Sequence, residues 1–411
     1  MEIRPILSAL MRSKTGAILV AVQVALSLAI LANALHIVNV RQEVAARPSG
    51  VAAESEVFHL LARNLRPLGH NEELALQKRL AAAARAVPGV VSVAQVSQVP
   101  LSRSGSNSGF AASRKQENSS AIAAVYLTPD SLIKTWGLQL REGRDFTPAE
   151  IAEIDQNVTQ VSPPQVIITR AMAEKIHPGG GSALGMPLFL GTGEDAQQLQ
   201  VVGVIDRLQT QGAEVGEQGE YSVIFPVRLT GDGDTLLTIR TEAGQRDRVM
   251  KEAEQAIRAA TPDKLIVRIR SLNEDRDTRY RADRALSWML ITVSALLLLV
   301  TASGIVGIAS LWVTQRRKQI GVRRALGARK VDILRYFLTE NFMITSVGVA
   351  AGVVLALALN HLLVSQLEMA RLPLYYLLGG ALVFWLLGLV AVYGPAWRAA
   401  SISPATATRS T

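Results

Sequence analysis

Between positions 316 and 338 stand Arg316, Arg317, Lys318, Arg323, Arg324, Arg329, Lys330 and Arg335, with Asp332 as the lone acid. The surrounding stretch, Gln315–Glu340, reads QRRKQIGVRRALGARKVDILRYFLTE. Its apolar residues, Ile320, Leu326, Val331, Leu334, Phe337 and Leu338, fall mostly on one side of two short helices. Gly327 is placed to end the first helix and Asp332 lies in the second. Such a basic amphipathic pair can lie on anionic lipid, or it can dock a partner protein. Charge and periodicity leave both readings open.

Other residues capable of chemistry are present, but not in working arrangements. Gly179, Gly180, Gly181 and Gly185 lack the G-x-G-x-x-G spacing and follow a helical stretch, not a strand. The Lys-Ser/Thr pairs, Lys14-Thr15 and Lys134-Thr135, do not follow the glycine that a phosphate-binding loop needs. The five histidines are scattered, with no H-E-x-x-H or paired ligand spacing. With no cysteine in the chain, thiol catalysis, disulfides and Cys-ligated zinc are excluded. The acids are dispersed as on a solvated face. These patterns predict a non-catalytic protein that binds no cofactor or metal itself.

What must position the basic stretch is a set of long apolar runs. Of 411 residues 49% are hydrophobic, and they cluster in four stretches near the roughly 20 residues that cross a bilayer. These are Thr15–Val40, Ala285–Gln315, the run between Glu340 and Glu368, and the run between Arg371 and Arg398, the last with Pro373 and Pro395 at its ends. A basic start and Ala32-Asn33-Ala34 give the first some likeness to a signal peptide. Its apolar run continues through Ile37, Val38 and Val40, which favours a span. The net charge of +9 sits beside the spans, since residues 41–285 carry 29 Lys and Arg against 30 Asp and Glu. That placement speaks for membrane orientation, not nucleic-acid binding. Positive-inside reasoning predicts a cytoplasmic N-terminus (1–14), linker (315–340) and tail (398–411). Residues 41–284 and the short loop 368–371 then lie outside, with spans at 15–40, 285–314, 341–367 and 372–397. No Asp, Glu, Lys or Arg lies deep in a span, and His36 and His361 fall near the outer ends, which argues against an ion-coupled transporter. Ser303-xxx-Gly307 and Gly348-xxx-Gly352 are small-residue spacings at which helices could pack closely.

Neither 17–47 nor 264–303 contains Gly or Pro, so the first two spans are expected to continue outward as a helical stalk. The outer domain reads as α+β. Strands at Val57–Leu61 and Val90–Val99 flank a helix capped by Asn71 and running through Val87. Strands at Thr235–Thr241 and Leu265–Ile269 flank a helix at Arg246–Ala260. Together, residues 41–99 and 220–284 predict a ferredoxin-like split βαβ subdomain with its stalk. The insertion 100–219 has another texture. It opens with the Ser/Gly-rich loop 102–108 and carries Tyr126–Gly137, the turn-like 142–145, strands at Val166–Thr169 and Leu199–Ile205, and a helix at Arg170–Ile176. It predicts a mostly-β subdomain.

The run Ile320-Gly321-Val322-Arg323-Arg324-Ala325-Leu326-Gly327-Ala328, closing on Leu338-Thr339-Glu340, resembles the signature of FtsX-like permeases of the MacB type. The tail from Pro395 to Ala405, with its S-x-S-P-A pattern, is similar to that family's ending. Pro88-Gly89-Val90, Gly143-Arg144-Asp145-Phe146 and Val201-Val202-Gly203-Val204 resemble the MacB periplasmic core domain. Gln319 stands where the family often has Glu, which removes one charge.

The resemblance implies an inner-membrane ABC transporter permease. Its 315–340 segment would contact an ATP-binding subunit through Arg316, Arg317, Ile320, Gly321, Arg323, Arg324, Ala325, Leu326, Gly327, Ala328, Asp332, Phe337 and Glu340. ATP and Mg would be bound by that subunit, expected on a separate polypeptide because only about 14 residues precede the first span. A second permease copy or related permease, a periplasmic adaptor and an outer-membrane channel are the further partners it implies, with efflux driven by mechanical transmission. A lipoprotein-releasing permease of the LolC or LolE kind and an FtsX-like regulator of cell-wall hydrolases are the alternatives within the superfamily. A non-ABC sensor is a further reading, for which the tail offers no signalling domain.

Overall fold

In the computed structural model, residues 14–158, 162–367 and 371–401 are described. The expected N-terminal segment up to 13, most of the loop 368–371 and the tail motif from 402 onward lie outside them. Two compact units form, one from residues up to 43 and from 283 onward, the other from residues 44–282.

Among the described residues, four helices are long and apolar enough to cross a membrane, and most of their length belongs to the first unit. Helix α1 runs Lys14–Ala46 and ends without glycine or proline. With 33 residues it reaches about 50 Å, well beyond the roughly 30 Å of a hydrocarbon layer. Because lipid gives no hydrophobic drive for helix association, small residues and polar contacts must hold such helices together. Here α1 is the most enclosed of the four, with Val24 and Leu28 fully buried.

The 44–282 unit begins with α/β alternation. Strand β1 (Val57–Asn64) leads into α2 (His70–Arg85) and β2 (Val90–Gln95). Later, β12 (Asp234–Thr241) leads into α5 (Arg246–Ala259) and β13 (Leu265–Ser271). The sheet order is β13-β1-β12-β2, with antiparallel neighbours throughout. This is the ferredoxin-like order, in which each βαβ unit straddles a strand of the other. One sheet face buries Phe58, Leu60, Leu237 and Ile239 under Leu80 of α2 and Val249 and Ile257 of α5. Fully burying a side chain of this size contributes about 1.5–3 kcal/mol. Asn71 proves to be inside α2, whose cap is Gly69 without a side-chain bond. The expected strand 90–99 ends at Gln95, because Val96 bonds Leu236 but Ser97 turns to Leu127.

Between β2 and β12 the chain forms β3 (Asn107–Ala111), β4 (Ala121–Leu127), α3 (Leu132–Trp136), β5 (Leu140–Gly143), β6 (Ala152–Asp155) and β7 (Gln165–Thr169). It continues through α4 (Arg170–Ile176), β8 (Pro187–Leu190), β9 (Gln197–Ile205), β10 (Ser222–Phe225) and β11 (Val227–Thr230). The larger sheet runs β5-β9-β7-β10-β4-β3-β8, and β8 also pairs with β9, so six strands close into a ring. Strand β9 can serve β5 and β8 because they use different parts of it, Gly203–Ile205 and Gln197–Gln200. The ring buries Phe110, Val166, Ile168, Met172, Val223 and Phe225. The inserted fold therefore reaches Thr230, beyond the expected limit of 219, since β10 pairs with β4 and β7 and β11 with β6.

A separate core joins ring and ferredoxin-like sheet through Leu101, Tyr126, Trp136, Ile205 and Leu208. Tyr126 and Trp136 meet edge to face at 5.8 Å. Each satisfies its polar handle, Tyr126 O–H donating to Gln209 O at 2.6 Å and Trp136 Nε1–H to Thr238 Oγ1 at 2.7 Å. Helix α6 (Leu272–Gln315, 44 residues) starts directly after β13 and is unbroken. Its early residue Arg276 donates to the carbonyls of Ala45 and Arg47, capping the end of α1, and grips both oxygens of Glu54. Beyond it come α7 (Arg317–Ala325), α8 (Lys330–Leu367) and α9 (Leu374–Ala400). Pro395 does not end the last helix, which continues five residues past it.

Candidate functional site

The basic segment is less symmetrical than its sequence pattern predicts. Its first part is the short helix α7, ended by Gly327 at φ 97°, with Gly327 N–H bonding Arg324 O and Ala328 N–H bonding Arg323 O. The second is no short helix. Residues 330–340 are the first three turns of the 38-residue α8. Asp332 begins it by accepting the backbone N–H of Arg329 at 2.9 Å.

The expected single apolar side is divided. Ile320, Ile333 and Phe337 are buried against the helical bundle, and Gly321 is buried beside them. Leu326 and Val331, by contrast, are 83% and 67% exposed, and Val322 is also exposed. The exposed surface includes Arg317, Val322, Arg323, Ala325, Leu326, Gly327 and Asp332. Arg324 is partly turned in, donating to Ala328 O at 3.2 Å, and Ala328 is half-buried. The Arg323 guanidinium lies over the Tyr336 ring at 5.2 Å, a cation–π contact that orients this exposed side chain.

Arg316 and Glu340 take a different part. Both Glu340 carboxylate oxygens accept from Arg316 Nη1, at 2.9 and 2.8 Å. Glu340 is almost wholly buried and Arg316 packs toward Trp312. This pair ties the end of α6 to α8 and holds α7 between them. The site thus has two kinds of residue: Arg316, Ile320, Gly321, Phe337 and Glu340 hold it, and the exposed group presents a basic surface with apolar points. Among the described residues, no cluster of His, Asp or Glu is arranged to hold a metal.

The two small-residue spacings part company as well. A Cβ on Gly348 would stand 2.8 Å from Ala21 O, and one on Gly352 3.0 Å from Ala25 O and Leu28 Cβ. Both glycines therefore form a seam against α1. Ser303 and Gly307 are exposed, and among the described residues no side chain comes within 4 Å of a Cβ placed on Gly307. The small residue of α6 that does face α1 is Gly304, beside Gln23. Spacing alone could not separate these, because helices leave both faces equally small.

Polar contacts between spans escaped the sequence pattern too. Ser27 and Thr301 share a hydrogen bond of 2.9 Å, and Asn33 donates to Ala356 O at 3.1 Å. Beyond the apolar runs, Arg41 of α1 pairs with Asp283 of α6.

The chain matches the MacB-like periplasmic core domain family over residues 19–260 and the FtsX-like permease C-terminal family over 291–404. It belongs to the FtsX-like, MacB-type family of ABC transporter permeases, membrane proteins with a periplasmic domain. Among its relatives is the macrolide export ATP-binding/permease protein MacB of Nitrosomonas europaea, 29% identical over 70% of this chain and 42% of that protein. Another is the pyoverdine export ATP-binding/permease protein PvdT of Pseudomonas syringae pv. tomato, 34% identical over 51% of this chain and 32% of that protein. The chain thus spans a third to two-fifths of the length of these relatives. The extracellular domain of the noncanonic ABC-type transporter YknZ from Gram-positive bacteria aligns with 52% of this chain and 99% of its own, at 17% identity and a TM-score of 0.32.

Proposed function

We propose that this chain is the permease subunit of an exporter and that the exposed face of 317–332 receives an ATP-hydrolysing subunit, which binds ATP and Mg. The observation that carries this reading is the division of apolar residues in α7 and early α8. A helix lying on lipid needs its apolar face free, but Ile320, Ile333 and Phe337 are spent inside the bundle. What is left outward is Leu326 and Val331 among arginines, an anchor-and-rim arrangement suited to a protein groove.

ATP-driven closure at this face moves α7 and, through the Arg316–Glu340 pair, the ends of α6 and α8. The unbroken α6 carries that motion toward the periplasmic domain. The basic charge of 315–340 supports an orientation with this segment in the cytoplasm, at an inner membrane. The export names of the MacB and PvdT relatives support efflux, with a second permease copy, a periplasmic adaptor and an outer-membrane duct as partners.

The test is co-purification in mild detergent with the ATP-binding subunit, comparing wild type with Leu326→Glu and Arg323→Glu. Loss of that subunit from both variants, with the permease still folded, is the expected result. Full retention by both refutes the docking face.

A further inference from the structure

The open face of the ferredoxin-like sheet is not solvated like an ordinary surface. It forms the floor of a cleft of about 400 Å³, within the usual range for small-molecule sites. Leu61, Arg63, Asp234, Leu236, Arg268 and Arg270 stand on that floor, and residues 96–104 with Leu127 and Pro129 overhang it. The overhang is held in an unusual conformation. Leu101, fully buried, has φ 67° and Arg103 has φ 62°, backbone that a bulky residue adopts only when its surroundings impose it. Hydrogen bonds from Leu101 N–H to Thr210 O and from Arg103 N–H to Gln211 O impose it here.

Charges in the cleft are unevenly satisfied. Asp234 is gripped by Arg63 through two bonds of 2.6 Å. Asp275, at the start of α6 and before its apolar run, is 1% exposed, and its Oδ2 has no hydrogen-bond partner among the described residues. The nearest groups are His59 Nδ1, 3.4 Å from Oδ2, and Arg270 Nη1, 3.4 Å from Oδ1. A buried carboxylate oxygen without a donor is a costly group unless a donor is supplied. Arg268, two residues before Arg270 on the same strand face, is exposed and makes no ion pair among the described residues.

We propose that this cleft binds a small zwitterion with apolar side chains, of dipeptide size. Its ammonium donates to Asp275 Oδ2 and its carboxylate accepts from Arg268. The cleft sets the size: about 400 Å³ admits a molecule of two residues and little more. Leu61, Leu127 and Leu236 take the apolar side chains.

The test is calorimetric titration of the full chain in lipid nanodiscs with leucyl-leucine and with its N-acetylated and C-amidated forms. Saturable binding of the zwitterion at least about tenfold tighter than either blocked form is expected. Asp275→Asn abolishes the preference for a free ammonium, and Arg268→Gln abolishes the preference for a free carboxylate. Thermal unfolding confirms that each variant is folded; if Asp275→Asn is not, the exposed Arg268→Gln variant decides alone. No saturable heat at about ten millimolar zwitterion, or equal binding of the blocked forms, overturns the proposal.

Discussion

Arg316 and Glu340 stand 24 positions apart and form a buried ion pair, with Arg316 Nη1 within 2.9 Å of both Glu340 oxygens. Removing one partner of such a pair leaves an uncompensated buried charge, at a cost of about 3–5 kcal/mol. Glu340→Gln is therefore expected to lower stability strongly. The double replacement Arg316→Met with Glu340→Leu removes both charges and is expected to recover most of the loss. Denaturant unfolding in detergent checks this, and equal stability of Glu340→Gln and wild type sinks it.

Gly348 and Gly352 pack on α1, whereas Gly307 packs on no other helix among the described residues. An added methyl at Gly348 would press on Ala21 O and Val24 Cβ, 2.8 and 2.9 Å away. Gly348→Ala should then cost about 1–3 kcal/mol through overpacking. Gly307→Ala should be neutral or stabilise by up to about 1 kcal/mol, because it only improves helix propensity. The contrast between the two variants, read from melting temperatures, is the informative result. A common effect would mean that the seam is misplaced.

The acid stability of the periplasmic domain should depend on two opposed groups. Burial, helped by Arg270, pushes the His59 imidazole down from 6.5 to about 4. Burial pushes the Asp275 carboxyl up from 3.8 to about 6, with Arg270 pulling it down and Glu274 adding to the rise. Between about 4 and 6.5 the unfolded chain binds more protons at His59, so that contribution to stability is lost as pH falls. Between 3.8 and about 6 the folded chain binds more protons at Asp275, so that contribution grows as pH falls. The two nearly offset each other in wild type. Asp275→Asn should expose the His59 effect, a loss of about 1 kcal/mol per pH unit between pH 6 and 5. His59→Gln should show the opposite slope. Unfolding curves at several pH values test this, and parallel profiles for all three proteins refute it.

Legibility followed the range of the physical signal. Span number and approximate placement came from apolar run length, and the βαβ strands from alternation, since both signals repeat within a few residues. Helix α4 was readable to the residue because Thr169 caps it locally, accepting from Met172 N–H. The short strands β3, β5, β6, β8, β10 and β11 leave no mark in the sequence pattern. At four or five residues each, they are too brief for a period to register, and their partners lie far off in the chain.

By itself the sequence determined the four spans, the α+β character of the domain between the first two, and a basic segment with the FtsX-like signature. These depend on hydropathy, local periodicity and charge, which act on neighbours. Tertiary structure alone decided that β8 closes a ring on β9, that Gly348 and Gly352 pack on α1 while Gly307 does not, and that Ile320 and Phe337 turn in while Leu326 turns out. It also decided that Asp275 meets His59, 216 positions away. Such pairings rest on shape and on desolvation, which exist only once distant segments exclude water from one another.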